Sequence, residues 1–226
     1  MPKKRFLSSY AVYDLIVIAM LGALGIAFKA IAGILVRMIT GPLGIPGGAL
    51  AGGLYMLWMP LGLAITGKKG TALLISLIQA VVLMISGAPG SHGIWTFLTY
   101  LAPAAAVEAA FFIKGKKPNI LHFVLAALFA NIVGTFGSNL LFFRMSVLPL
   151  LFTLVAAAFS GAVGGVIAYF TFQKIEKTGL IIKMQPKSAQ PKPIEQPIQT
   201  EQPKETEQPT QPKQFEQIVS TQNEKD

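Results

Sequence analysis

The chain alternates six apolar blocks with short stretches rich in charge, glycine or proline. A membrane-crossing helix takes about 20 mostly apolar residues, and each block is close to that length and contains few charges. The blocks therefore predict six helices, over residues 10–28, 49–66, 71–86, 94–113, 119–143 and 147–173.

The pattern stops at residue 184, where Gln-Pro and Glu-Gln-Pro units replace the large apolar side chains. Such a segment cannot bury enough surface to fold. We expect an all-α membrane protein: a six-transmembrane-helix bundle that binds substrate in residues 1–183, and a disordered cytoplasmic tail rich in Gln, Pro and Glu in residues 184–226.

The composition agrees with a membrane protein. The chain is 53% hydrophobic and only 13% charged, with a mean hydropathy of +0.58, which excludes an ordinary soluble domain. The absence of cysteine excludes disulfides, thiolate nucleophiles and Cys-rich metal sites. The net charge of +9 resembles that of a nucleic-acid-binding protein, but the basic residues lie in clusters at the ends of the apolar blocks. We interpret them as topology signals and expect no nucleic-acid partner.

The positions of the basic residues predict the orientation. If six helices cross, the N-terminus and most of the lysines fall on one side, including Lys68, Lys69, Lys114, Lys116, Lys117, Lys174, Lys177 and Lys183. The other side has only Lys29, Arg37 and Arg144. Cytoplasmic loops carry the excess of Lys and Arg. We therefore expect a multi-pass protein of the cell membrane with both termini in the cytoplasm.

Residues 86–100 combine polar, aromatic and turn residues in a chain that is otherwise mostly aliphatic. Pro89 and its neighbouring glycines predict a loop, after which Trp95, Thr99 and Tyr100 return at helical spacing. This stretch falls on the outer side and predicts a pocket for a small ligand. Aromatic faces would stack on a ring, while amide, hydroxyl and imidazole groups would bind its polar edge. The expected contacts are Tyr55, Trp58, Gln79, His92, Trp95, Thr99, Tyr100, Asn131 and Asn139.

Two of these assignments depend on burial in the membrane. An amide in hydrocarbon needs a partner, so Gln79 faces protein, either as a link between helices or as a ligand contact. Asn131 and Asn139 lie on one helical stripe with Thr135 and Ser138, which is more polar surface than packing usually needs. We expect this stripe to face the pocket.

The first helix carries a stripe of small residues, Ala19, Ala23 and Ala27, that would let another helix approach closely. That helix belongs either to the same bundle or to a partner. Lys29, Gly33 and Arg37 continue at helical spacing beyond the predicted end, which suggests an interfacial helix or a helix extension on the outer side. The following Gly- and Pro-rich stretch, residues 41–48, is either a lid or a simple connector.

Other chemistry is excluded or structural. Residues 62–69 nearly match a phosphate-binding loop, but Lys69 replaces the hydroxyl that binds magnesium and no strand precedes it. An intramembrane enzyme would need a nucleophile with a base or a metal cluster, and His92 and His122 are predicted on opposite sides. For Glu108 we expect a structural salt bridge to the basic loop at residues 114–117.

Six short helices with both termini inside, the Ala19–Ala23–Ala27 stripe and the loop after it resemble the substrate-binding S component of energy-coupling factor (ECF) transporters. The resemblance covers about residues 8–178. It implies that the stripe docks on a transmembrane coupling subunit, that two cytoplasmic ATPase subunits consume ATP, and that the loop gates an outward-facing vitamin site. Residues 45–55 and 90–93 resemble the branch for hydroxymethylpyrimidine or thiamine.

The function expected from sequence is thus a non-enzymatic binding subunit with no cofactor of its own, which takes up a vitamin-like heteroaromatic solute. The alternative is a stand-alone secondary transporter, for which inverted repeats or acidic residues at mid-membrane would be typical. Glu108 is the residue that comes nearest to the second criterion.

Overall fold

The computed structural model describes residues 10–42, 46–87, 93–112 and 118–179. These residues form an all-helical bundle, as predicted. Its α-helices are α1 (Val12–Thr40), α2 (Gly47–Met56), α3 (Trp58–Thr66), α4 (Thr71–Ser86), α5 (Trp95–Phe112), α6 (Ile120–Ser138) and α7 (Val147–Lys177). A short π-helix, Asn139–Phe143, continues α6. His92 and the predicted tail lie outside the described residues.

Helix α1 is longer than predicted. It is a single helix of 29 residues and therefore about 43 Å long, so the prediction that the first helix ends at residue 28 is wrong. Lys29 and Arg37 were interpreted as marking the membrane edge, yet both line an internal cavity, and the helix continues past them. Of the two forms expected for residues 29–40, the structure shows the helix extension.

Two other predicted helices are interrupted. The second apolar block is divided at Leu57 into α2 and α3, although its helical path continues through the Leu57 N–H, which donates to the Gly53 carbonyl at 3.1 Å. The fifth block changes from α- to π-helix at Asn139. Such local changes of helical pitch turn the side chains that follow toward a different face. They therefore shift the positions that simple helical spacing predicts.

Close backbone contacts hold α2, α6 and α7 together. A Cβ atom at Gly164 on α7 would collide with the backbone of Gly53 on α2, and one at Gly165 would meet the backbone of Phe123 at 2.5 Å. Gly161 has the same relationship to Ala127, at 2.7 Å. The glycines of α7 thus permit the close backbone approach of these three helices.

One end of the bundle, called the basic end here, gathers the start of α1 and the turn between α3 and α4. Lys68 forms an ion pair with the fully buried Asp14 at 2.7 Å. The Tyr10 hydroxyl donates to the Lys69 carbonyl at 2.6 Å. Gly67 and Gly70 form the turn with φ angles of 63° and 89°, a region that favours glycine.

Glu108, near the end of α5, also lies at the basic end. Its carboxylate accepts a hydrogen bond from the Ala72 N–H in the first turn of α4, at 2.8 Å. Backbone N–H groups at a helix start lack partners within the helix and favour a negative charge. Glu108 therefore caps α4, whereas the loop at residues 114–117, its expected partner, lies outside the described residues.

The apolar helices differ in length. Within the part of the chain that the structure describes, four helical stretches are long and apolar enough to cross a membrane: Val12–Thr40, Gly47–Thr66, Ile120–Phe143 and Val147–Lys177. Thr71–Ser86 is a shorter apolar helix of 16 residues, about 24 Å long. The predicted bundle is thus present, with helices of unequal length.

Candidate functional site

A cavity of about 490 Å³ opens between α1, α2, α4, α5 and α6, toward the end opposite the basic end. This volume lies within the range of about 300–1,000 Å³ that is typical of small-molecule sites. Its wall is mostly apolar, with methionines from α2 and α3 and Phe143 from the π-helix. The polar side chains along it are Lys29, Arg37, Tyr55, Gln79, Thr99, Tyr100, Asn131, Thr135 and Ser138.

Lys29 on α1 lies between two aromatic rings. Its ammonium donates a hydrogen bond to the Tyr100 hydroxyl at 2.5 Å and is 4.8 Å from the centroid of that ring. The Tyr55 ring centroid lies 6.0 Å away. Cations at these distances are attracted by the negative face of an aromatic ring. The cluster joins α1, α2 and α5 around one positive charge.

Gly33 and Arg37 continue the same face of α1 toward the mouth. A Cβ atom at Gly33 would lie 3.8 Å from the Tyr55 hydroxyl and 3.9 Å from Nη2 of Arg37. Because glycine has no side chain, the space between these two polar groups stays open. Lys29, Gly33 and Arg37 thus form one cavity wall with a cation on either side of a gap.

Gln79 contributes a hydrogen-bond donor to the cavity wall. Its side chain is only 3% exposed, and its Nε2 is buried without a hydrogen-bond partner. Buried amides normally have partners, so an unpaired one needs an explanation. Gly25 makes room for it, since a Cβ there would collide with Gln79 Nε2. The geometry matches the ligand-contact alternative for Gln79.

Asn131 lies against the cavity but is tied to the fold. Its Nδ2 donates to the Ala157 carbonyl at 2.8 Å and to the Ala49 carbonyl at 3.2 Å, which links α6 to α7 and α2. Both donor hydrogens of the amide are used in this way. What Asn131 can still offer a solute is therefore its oxygen.

The structure brings together five of the nine side chains that sequence proposed for ligand contact: Tyr55, Gln79, Thr99, Tyr100 and Asn131. Thr99 donates its hydroxyl to the Thr96 carbonyl at 3.1 Å within α5. The two polar residues of the same stripe, Thr135 and Ser138, also line the cavity. The other four proposed residues lie elsewhere or outside the described part of the chain.

Three of those four have other surroundings. Trp58 packs edge-on against Phe28, with ring centroids 6.2 Å apart. Trp95 is 50% exposed and is not part of the cavity wall. Asn139, at the change to π-helix, accepts a hydrogen bond from the Met145 N–H at 2.9 Å, so its side chain stabilises the helix end. His92 lies outside the described residues.

The sequence predicts a pocket around residues 86–100, whereas the cavity is lined mostly by other parts of the chain. Of the described residues in 86–100, Thr99 and Tyr100 line the wall, whereas α1, α2 and α6 supply most of it. The sequence predicts Lys29 and Arg37 on an interfacial helix or a helix extension at the outer side. Their spacing with Gly33 was visible in the sequence, but a basic stripe alone does not distinguish a lipid headgroup from a cavity.

Helix α1 presents its alanine stripe outward. Ala19, Ala23 and Ala27 are all exposed, while Gly22 and Gly25 face α4. The described part of the bundle leaves this stripe uncovered, and its docking on a partner stays a prediction. The exposed surface is apolar and small, as a closely approaching helix requires.

The described residues contain no group of three or more His, Cys, Asp or Glu side chains arranged to hold a metal ion. Asp14 and Glu108, two of the carboxylates, are at the basic end. The cavity therefore carries positive charges and hydrogen-bond donors rather than the ligand set of a metal centre.

Comparisons with known proteins place the chain among transporters. A solved structure described as an S-component of an ECF transporter shares the fold, with a TM-score of 0.66 over 76% of this chain and 88% of that one, at 18% identity. No curated protein matches significantly. The model of the family described as "ABC-type cobalt transport system, permease component" matches residues 13–133.

This match covers more than half of the chain. It identifies a membrane transport protein rather than an enzyme. The chain belongs to the family of ABC-type cobalt transport system permease components.

Proposed function

We propose that this protein is the membrane-embedded substrate-binding subunit of an ECF-type ABC importer, and that it captures a vitamin-like solute from outside. The observation that carries the proposal is the cavity of about 490 Å³ between α1, α2, α4, α5 and α6. It is large enough for an organic molecule and presents a few polar groups on an apolar wall. The likeness to the S-component fold supports this assignment.

The lining favours a solute with a ring. Tyr55, Tyr100 and Phe143 offer aromatic faces, and Gln79 offers an unpaired amide donor for the polar edge. Thiamine and its hydroxymethylpyrimidine precursor are the first compounds to test. Cobalt, which the family description names, fits this cavity less well, because Lys29 and Arg37 would repel a divalent cation.

The direction of capture follows from the charge distribution. Lys68 and Lys69 lie at the basic end, opposite the cavity mouth, and Lys174 and Lys177 are in the last turn of α7. An excess of lysine favours the cytoplasmic side. The basic end would then face the cytoplasm together with both termini, and the cavity would open to the outside of the cell membrane.

The transport cycle would need partners. The near match to a phosphate-binding loop at residues 62–69 is helix and turn, ending in the Gly67–Gly70 turn that leads into α4. ATP would be hydrolysed by two cytoplasmic ATPase subunits, with a transmembrane coupling subunit between them and this chain. The exposed Ala19, Ala23 and Ala27 provide the surface for that subunit.

Reconstitution tests the proposal. The purified chain is analysed by native mass spectrometry for a co-purifying small molecule, and that compound is radiolabelled. We expect vesicles with this chain alone to bind it without uptake, and vesicles that also contain the coupling and ATPase subunits to accumulate it with ATP. Uptake by the chain alone would contradict the proposal and indicate a secondary transporter.

A further inference from the structure

We propose that the solute carries an anionic group, a phosphate or a carboxylate, which binds in the gap between Lys29 and Arg37. This inference rests on the proposed function and defines the chemical class of its substrate. It is carried by the charges and the unpaired donor of the cavity wall.

The cavity has positive charge without a matching negative one. Lys29 and Arg37 both line it, and no Asp or Glu from the described residues does. Among the described residues, Asp14 pairs with Lys68 and Glu108 caps α4, both at the basic end. Arg37 is near enough to interact electrostatically with Lys29. Two like charges facing one apolar cavity are unfavourable until an anion lies between them.

Lys29 is held in place but not neutralised. Its ammonium contacts the Tyr100 hydroxyl, at 2.5 Å, and the faces of two tyrosine rings. A hydroxyl and two rings orient an ammonium group without cancelling its charge. Because an ammonium has three N–H donors, it can bind a solute oxygen while keeping Tyr100.

Gly33 provides the room for the anionic group. It lies one helical turn from each cation, and an added Cβ would be within 3.9 Å of both the Tyr55 hydroxyl and Arg37 Nη2. An oxyanion in that gap would meet the guanidinium on one side and the ammonium on the other. Arginine is well suited to phosphate and carboxylate, since its planar fork can bind two oxygens at once.

Deeper in the cavity, the Gln79 side chain has a donor that lacks an acceptor. Gln79 has a buried Nε2 without a partner, and both donors of Asn131 are already used. A solute that satisfies Gln79 must therefore supply an acceptor atom, such as a ring nitrogen or a carbonyl. The two requirements together describe a ring with an acceptor edge and an anionic substituent.

The test compares probes that share a ring and differ in charge. Thiamine is paired with thiamine monophosphate, pyridoxine with pyridoxine 5′-phosphate, and nicotinamide with nicotinate, each titrated by calorimetry against the full chain in detergent. We expect an anionic member to bind at least about tenfold more tightly than its partner, which is the scale of a charge-assisted hydrogen bond. Its affinity should fall as salt is added.

Variants locate the effect. Lys29→Met and Arg37→Gln should each weaken the anionic probe about ten- to hundredfold and bring its affinity close to that of the uncharged partner. Arg144→Gln is the matched control, because Arg144 is exposed and is not part of the cavity wall. Lys29→Arg keeps the charge and should retain most of the binding. Melting temperatures in detergent show which variants are folded.

Results that overturn the anionic group can be distinguished from results that overturn the proposed function. Equal binding of both members of every pair, preference for the uncharged or cationic member, or binding of no anionic probe would overturn the inference. If a neutral or cationic probe still binds and is transported with the ATPase subunits, the proposed function stands without the anionic group. If no compound of any charge binds, the proposed function fails as well.

Discussion

The ammonium of Lys29 donates a hydrogen bond to the Tyr100 hydroxyl at 2.5 Å, across 71 residues of sequence. This bond joins α1 to α5 at the wall of the cavity and fixes the direction of the charge. We expect Tyr100→Phe to keep the ring under Lys29 but to lower solute affinity about three- to tenfold, because the hydrogen bond that orients the ammonium is lost. Titration with the co-purifying solute measures this.

Tyr169→Phe is the control for that change. Tyr169 also has a bonded hydroxyl, which accepts from Gln173 on α7 at 2.7 Å and is not part of the cavity. The solute affinity of Tyr169→Phe should equal that of the unmodified protein. Equal affinities for all three proteins would show that the Lys29–Tyr100 bond does not position the binding group.

Gln79→Leu separates stability from binding. The buried Nε2 has no partner without a solute, and such a group costs about 1–3 kcal/mol. The substitution should therefore raise the melting temperature of the ligand-free protein and lower its affinity for the solute. A loss of stability with unchanged affinity would mean that Gln79 stabilises the fold and does not bind the solute. Gln173→Leu, on α7, is the control.

Added volume at the contact between α2 and α7 should destabilise the protein more than added volume at an open position. Gly164→Ala places a Cβ against the Gly53 backbone, and such overpacking typically costs about 1–3 kcal/mol or more. Gly137→Ala is the matched control, since nothing lies within 4 Å of its added Cβ. In an α-helix this control change should be neutral or slightly stabilising. Unfolding in detergent, followed by size-exclusion chromatography, compares the two, and equal stability would contradict the close packing.

A bulky substitution in the alanine stripe tests whether uptake needs a partner subunit on this surface. Ala23→Trp adds a large ring to the exposed face of α1, which should block a closely packed coupling subunit and abolish ATP-dependent uptake. Solute affinity of the purified chain should change less than about twofold, since the cavity lies on another face. Val155→Trp, on the 69% exposed Val155 of α7, is the control and should transport normally. Loss of affinity together with uptake would mean that the stripe supports the cavity.

Much of the fold could be predicted from the hydrophobic pattern. The bounds of α4 were predicted to the residue, because Gly70 and Gly87 at its two ends stop the helix on both sides. The end of α1 could not be predicted, since a lysine inside a helix usually marks the membrane surface. Only tertiary contacts with Tyr55 and Tyr100 make Lys29 acceptable there.

The site could be predicted only in part for a similar reason. Helical spacing correctly groups Asn131 with Thr135 and Ser138, because α6 is regular through Ser138. It fails at Asn139, where the π-helix begins. It also cannot show which face of a helix meets which neighbour. Trp58, a predicted ligand contact, therefore packs on Phe28 instead.

We expect a small solute to occupy the cavity between α1, α2, α4, α5 and α6. The most direct measurement is native mass spectrometry of the purified chain beside Gly33→Leu, which fills the gap between Lys29 and Arg37. Gly137→Leu, at an open position of α6, is the control. We predict one bound small molecule per chain in the unmodified protein and in Gly137→Leu, and none in a folded Gly33→Leu. Retention of the same molecule by Gly33→Leu would contradict it.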